Sequence, residues 1–302
     1  MRPILFHFGS GRGLLQSLAP KVACDQGEVE RRQFPDGESY LRLLSAVEGR
    51  DVILLASLDN PDGKMLPLLF AADAARKQGA RSVGLVAPYL AYMRQDKAFH
   101  PGEAVTSATF AKLISDGFDW LVTTDPHLHR YGRLNAIYSI PSIVTTAAQP
   151  IANWIRDHVD RPCLIGPDEE SAQWVKKIAD LTRAPSAIFR KTRRGDFEVE
   201  IDEETSDIPA GATLVIVDDI ASSARTMVET VDILKGRGHV APVCVVVHAL
   251  FAGDAYRRLT EAGPAAIVST NSVEHSSNAI DIGEVLCGAV IEMLGNAASG
   301  AA

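Results

Sequence analysis

TLVIVDDIASSARTM, residues 213–227, opens on an unbroken apolar run, passes two carboxylates and a group of small hydroxyl residues, and ends in helical spacing. A continuous run of this kind predicts a strand buried on both faces, as in a parallel sheet covered by helices. Beyond it Met227, Val231 and Leu234 make one stripe, while Glu229, Asp232 and Lys235 make the wet face of a helix. VCVVVHAL at 243–250 then completes a strand, helix, strand unit.

The same unit occurs earlier in the chain. DVILLAS (51–57) and SVGLVAP (82–88) read as buried strands, and between them Met65, Leu69, Ala72 and Ala75 share one face of a crossover helix. PILFHF, FDWLVTTD and RPCLIGPD predict further strands, the last followed by a helix with Val175, Ile178 and Ala179 on its apolar side. The repetition predicts an α/β chain of two similar domains, 1–145 and 146–302, each a mainly parallel sheet flanked by helices. The closing AASGAA reads as a frayed tail.

At 302 residues with 46% hydrophobic and 23% charged content, the chain has the composition of a globular protein with room for two cores. A net charge of -8 argues against a broad nucleic-acid surface and leaves small anions as ligands. No secretory leader and no apolar run near the ~20 residues of a membrane span is present, so no membrane partner and a cytoplasmic location are expected. Cys24, Cys163, Cys244 and Cys287 lack metal-ligand spacing and read as structural thiols.

Several clusters carry chemistry, each with a plainer alternative. After the strand at 213, Asp218 and Asp219 suit vicinal sugar hydroxyls, and Ser222, Ser223, Ala224, Arg225 and Thr226 lead into a helix N-terminus able to hold phosphate; an N-capped helix reads the same way. PYLAYMRQDKAF (88–99) places Arg94 and Gln95 after a buried strand, where they can meet a nucleotide, or form a solvated charge run together with Lys97. In TTDPHLH, Asp125 and His127 face one side if the chain stays extended and suit magnesium; His129 opens a zinc alternative. Asp168 in GPDEES orients ribose or a metal-bound water, or caps the next helix. Lys191 and Arg193 in FRKTRRGDFEVEI belong to a charged surface hairpin, or to a mobile flap at about 190–206 that closes over polyphosphate, with Arg194 as a third candidate. Phe34, Asp36 and Glu38 fall in a turn, FPDGE. GSGRG lacks the GxGxxG spacing, and no Walker loop exists.

Taken in order, FPDGE, RQDK, DPH, GPD, KTR and VDDIASSART resemble the landmarks of the ribose-phosphate pyrophosphokinase family over about residues 4–290. The resemblance implies two type I phosphoribosyltransferase-like domains, with ATP and metal on the first and ribose 5-phosphate on the second. It implies synthesis of 5-phosphoribosyl 1-diphosphate and AMP from ATP and ribose 5-phosphate, with Mg2+. By the same resemblance Arg94 and Gln95 bind ATP, and Phe34, Asp36 and Glu38 reach the adenine site of a neighbouring subunit, which implies a homo-oligomer. His127 and Asp168 serve magnesium and its water shell, Asp218 and Asp219 the ribose hydroxyls, residues 222–226 the 5-phosphate, and Lys191 and Arg193 catalysis.

Three positions depart from the family pattern: Arg225 stands where a glycine is usual, Pro126 where leucine is common, and Lys97 where arginine is frequent. If position 225 needs a left-handed backbone, a side chain there costs roughly 1 to 2 kcal/mol. Two alternatives follow, a non-catalytic synthetase-like regulatory subunit and a type I phosphoribosyltransferase.

Overall fold

The computed structural model describes residues 1–9, 12–189, 191–194, 198–201 and 208–299. The chain divides into two compact units, Met1–Thr146 with Ile282–Ala302, and Ala147–Asp281.

In the first unit the parallel sheet runs in the order β2 (Asp25–Gln26), β1 (Ile4–His7), β5 (Asp51–Leu55), β6 (Ser82–Ala87), β7 (Trp120–Thr124), β8 (Ser142–Thr145). Every residue of β5, β6 and β7 is buried, which is why their sequences read as apolar runs without alternation. Gly84 in β6 lies so close to the Trp120 indole that a Cβ there would sit 1.9 Å from the ring, so only glycine fits. Helices α1 (Gly13–Val22), α2 (Asp62–Lys77) and α3 (Thr106–Gly117) join the strands. On α2 the buried stripe is Met65, Leu68, Ala71, Ala72 and Ala75, with Leu69 at its margin. An antiparallel hairpin, β3 (Val29–Gln33) and β4 (Ser39–Leu43), is inserted between β2 and β5.

The second unit repeats this plan. Its sheet runs β10 (Ser186–Ile188), β9 (Pro162–Gly166), β13 (Thr213–Ala221), β14 (Val243–Ala249), β15 (Ala266–Thr270), β16 (Asn278–Ile280), all parallel. Helices α4 (Ala148–His158), α5 (Ala172–Thr182), α6 (Arg225–Gly236) and α7 (Ala255–Glu261) accompany it. An antiparallel pair, β11 (Lys191–Arg194) and β12 (Glu198–Ile201), is again inserted after the second strand. In both units the first strand has a chain-order reversal beside it, between β1 and β5 and between β9 and β13; ligands of open α/β sheets bind outside the strand ends at such points.

The last helix, α8 (Gly283–Ser299), packs on α1, β7 and β8. Residues 282–302 therefore group with the first unit rather than with the second, where the sequence reading assigns them. The cause is a tertiary contact: Leu286, Val290 and Met293 are buried in this packing, and periodicity cannot tell which sheet a helix will cover. Ala297, Ala298 and Ser299, read as frayed tail, continue this helix.

Candidate active site

The β13–α6 junction is built by a strand that outlasts one of its two neighbours. Ile216 is the last residue of β13 paired to β9, yet the strand continues to Ala221 against β14, so Asp218 and Asp219 stand beyond the end of β9. Asp219 is buried and Asp218 half-buried, and Asp218 Oδ1 accepts the Asp219 amide at 2.9 Å. Burial first, then the Asp219 and Asp168 carboxylates, hold the Asp218 carboxyl well above its usual range. Such a group gains from hydroxyl donors, as a ribose offers.

The left-handed residue of this loop is Ala224, with φ 52°, whereas Arg225 is the first residue of α6. The sequence reading suspects Arg225 of a left-handed backbone, and the structure moves that strain one position earlier. Arg225 has helical backbone, so its side chain carries no conformational penalty of that kind. The half-buried Ser222 and exposed Ser223 precede the turn, and Thr226 follows it.

Asp168 follows β9, adjacent to Asp218 on the neighbouring strand. Its Oδ1 accepts the Ser171 amide at 3.0 Å, while the Ser171 hydroxyl donates to the Asp168 carbonyl at 2.6 Å. The N-cap of α5 is Ser171 and not Asp168, so the capping alternative does not hold; the contact with Ser171 occupies one Asp168 carboxylate oxygen, and the other has no partner among the described residues.

In the first unit, Arg94 is exposed and Gln95 half-buried after β6. Gln95 Oε1 accepts the Thr106 hydroxyl at 3.3 Å, and its carbonyl accepts the Ser107 amide at 3.3 Å, tying the RQDK segment to the start of α3. Sequence reasoning passed over the residue that anchors this segment: Asp96 is buried and takes Arg130 Nη1 on Oδ1 at 2.5 Å. The Tyr131 hydroxyl donates to the Asp96 carbonyl at 3.3 Å and lies 3.1 Å from the Ser107 hydroxyl. The only signal for this in the sequence is an acidic residue inside a basic cluster.

The chain does not remain extended past β7. Asp125 has φ 36°, so the alternation expected to align it with His127 fails, and the His127 ring instead stacks on His129 with centroids 6.2 Å apart. Among the described residues no group of three or more His, Cys, Asp or Glu side chains gathers as a metal site. His127 belongs to the first unit and Asp168 to the second.

Phe34, Asp36 and Glu38 form the exposed tip of the β3–β4 hairpin. The Phe34 amide donates to the Glu38 carbonyl at 2.7 Å, Gly37 takes φ 94°, and the Glu38 amide donates to Asp36 Oδ1 at 3.2 Å. The Arg32 guanidinium lies 4.7 Å from the Phe34 ring centroid. Lys191 and Arg193 lie in β11, paired in register with Ile201 and Val199. The remainder of the sequence-expected flap, residues 190, 195–197 and 202–206, lies outside the described residues.

The first unit has a counterpart of the β13–α6 loop, and its chemistry differs. After β5 the chain reaches Asn60 with φ 50°, just before α2, as Ala224 does before α6. There Lys64 Nζ donates to Asp59 Oδ1 at 2.6 Å and to the Ser57 carbonyl at 2.9 Å, and Pro61 removes an amide donor. That loop is internally neutralised.

Two family models match the chain: the N-terminal domain of ribose phosphate pyrophosphokinase over residues 4–116, and the phosphoribosyl transferase domain over residues 134–282. A ribose-phosphate pyrophosphokinase from Saccharolobus solfataricus is 32% identical over 86% of this chain and 90% of its own. One from Methanopyrus kandleri is 30% identical over 97% of this chain and 100% of its own. The chain belongs to the ribose-phosphate pyrophosphokinase family. A phosphoribosylpyrophosphate synthetase structure from Mycobacterium smegmatis, 22% identical, superposes with a TM-score of 0.85 over 98% of this chain and 100% of its own, and so shares the fold of two helix-flanked parallel sheets. The second family model begins within the first unit, ahead of β8, and spans the second unit with its DD loop.

Proposed function

We propose that this member of the family is a Mg2+-dependent ribose-phosphate diphosphokinase, transferring the β,γ-diphosphoryl group of ATP to the anomeric hydroxyl of ribose 5-phosphate, with AMP as the second product. The observation that carries the reading is the Asp218–Asp219 pair standing beyond the β9 end beside the Ser222–Thr226 turn into α6. Carboxylates that can accept sugar hydroxyls and a helix start that favours an anion follow one another in a single strand, loop and helix, as the two ends of a sugar phosphate would use them.

In this reading Asp218 and Asp219 orient the ribose hydroxyls, and residues 222–226, with Ser222, Ser223, Ala224, Arg225 and Thr226, receive the 5-phosphate. Arg94 and Gln95 bind ATP. Phe34, Asp36 and Glu38, exposed on their hairpin, complete the adenine site of a second subunit in a homo-oligomer. Lys191 and Arg193 supply fixed positive charge where charge develops on the transferring phosphoryl group.

Magnesium fits the donors as an ion that arrives with ATP. Asp168 in the second unit and His127 in the first are each a proposed magnesium contact: a hard carboxylate with one oxygen lacking a partner among the described residues, and an imidazole, each suit an ion that keeps water and takes other ligands from phosphate. When bound, the ion neutralises phosphate charge; the protein's part is to hold the substrates in line. No helix among the described residues is long and apolar enough to cross a membrane. A cytoplasmic location, where ATP is available, accords with this chemistry.

Purified protein incubated with ATP, Mg2+ and ribose 5-phosphate is expected to release AMP and 5-phosphoribosyl 1-diphosphate, read by phosphorus NMR. Absence of both products across phosphate concentrations and pH overturns the reading. Binding of both substrates without turnover would establish the regulatory-subunit alternative instead.

A further inference from the structure

The segment following β14 fastens the phosphate-loop backbone from one side. The Phe251 amide donates to the Ala221 carbonyl at 2.7 Å, the Ala252 amide to the Ser222 carbonyl at 2.9 Å, and Arg258 Nη2 to the Ser223 carbonyl at 3.4 Å. Three consecutive carbonyls are therefore drawn toward the 251–258 segment. In a trans peptide the amide N–H of the next residue points opposite to the carbonyl, and the chain contains no cis bond. The amides of Ser222, Ser223 and Ala224 are thereby directed away from that segment, and none of them donates to an acceptor among the described residues. Successive amides held to one side through a left-handed residue make an anion-binding concavity.

The fastening segment is itself under strain. Phe251 has φ 35°, a costly conformation for an aromatic residue, so its surroundings must hold it. They do so through the ring, whose centroid lies 5.1 Å from Tyr256 and 4.8 Å from His275; Tyr256 and His275 are 4.6 Å apart. Arg258 is steadied by Asp254, with Nε 3.1 Å from Oδ1.

We propose that Phe251, Ala252 and Arg258 form a clamp that presets the amides of residues 222–224 for the phosphate of the sugar substrate, with Arg258 as a positioning residue for that substrate. The proposal rests on the ribose 5-phosphate reading for its ligand, and on the hydrogen bonds alone for the clamp. Arg258 is exposed on a short helix, so its replacement leaves the core intact.

Arg258→Ala and Arg258→Lys would be measured for KM toward ribose 5-phosphate and toward ATP, for kcat, and for amide hydrogen exchange over 222–226 without ligand. For Arg258→Ala we expect a rise of about three- to tenfold in the ribose 5-phosphate KM, with ATP KM and kcat little changed, and faster exchange in the loop. Arg258→Lys, which keeps a donor and the charge, should recover most of the loss. Unchanged exchange, or equal changes in both KM values, overturns the clamp. If wild-type protein fails to bind ribose 5-phosphate in calorimetry, the functional reading falls, and the exchange comparison still decides the clamp by itself.

Discussion

Arg130 Nη1 donates to Asp96 Oδ1 at 2.5 Å, joining the loop after β7 to the segment after β6. The Asp96 side chain is 1% exposed and its Oδ2 has no partner among the described residues, so this guanidinium is the carboxylate's main compensation. The bond connects two stretches 34 residues apart, one carrying Arg94 and Gln95 and the other His127.

Breaking this pair leaves a buried charge behind. Arg130→Ala is expected to destabilise the protein by about 1–3 kcal/mol, below the value for a fully buried pair because Arg130 itself reaches solvent. In the same variant KM for ATP should rise, since the RQDK segment loses its anchor. Urea unfolding of Arg130→Ala, Asp96→Asn and the double variant checks this: additive losses would show that the two residues act separately.

Asp218 offers a trade of stability against binding. Its carboxyl is held above the ordinary range by burial and by Asp219 and Asp168, so the folded chain keeps a proton that the unfolded chain loses. Stability is then greatest below the unfolded carboxyl's pKa of about 3.9 and declines as pH rises toward the folded value. Asp218→Asn removes that decline. We expect it to melt higher than wild type at neutral pH without ligand, with the advantage fading toward pH 4, and to lose at least about tenfold in ribose 5-phosphate affinity. A lower melting temperature at neutral pH would contradict the electrostatic account.

The backbone of the same loop separates two glycine substitutions. Ala224→Gly removes the left-handed penalty and should stabilise by up to about 1 kcal/mol, offset in part by chain entropy. Arg225→Gly places glycine in the first turn of α6 and should give no gain. Denaturant midpoints of the two variants at equal m-value measure the contrast.

Lys191→Ala tests the catalytic assignment within β11. A fixed charge that meets developing charge affects the chemical step most, so kcat should fall by about a hundredfold or more while both KM values stay within a few fold. A change confined to KM would move Lys191 from catalysis to binding.

How much of this was legible beforehand follows from burial. β5, β6 and β14, and the run Leu214–Val217 of β13, could be read because central strands of a parallel sheet exclude water on both faces and leave no polar alternation. The outer strands β2, β10 and β16 have two or three residues each and carry no usable period. α8 was hidden because its partner sheet lies at the other end of the sequence. In the site, the DD loop was legible as a motif, whereas the clamp was not: Phe251 and Ala252 act through main-chain amides, which leave no side-chain signature, and Arg258 sits among ordinary helix-surface ion pairs.

The two sheets share one strand order and place an inserted hairpin at the same step, and each carries a left-handed residue before the helix that follows its third strand. Architecture therefore cannot be what distinguishes the proposed ribose 5-phosphate loop from its counterpart after β5. The difference is local electroneutrality: the turn after β5 closes its own circuit through Lys64 and Asp59, while the turn after β13 sets a carboxyl held above its ordinary range beside the amides of residues 222–224, which donate to no acceptor among the described residues. On the proposed function a sugar phosphate would complete the second circuit, whereas in the first a single lysine already does so.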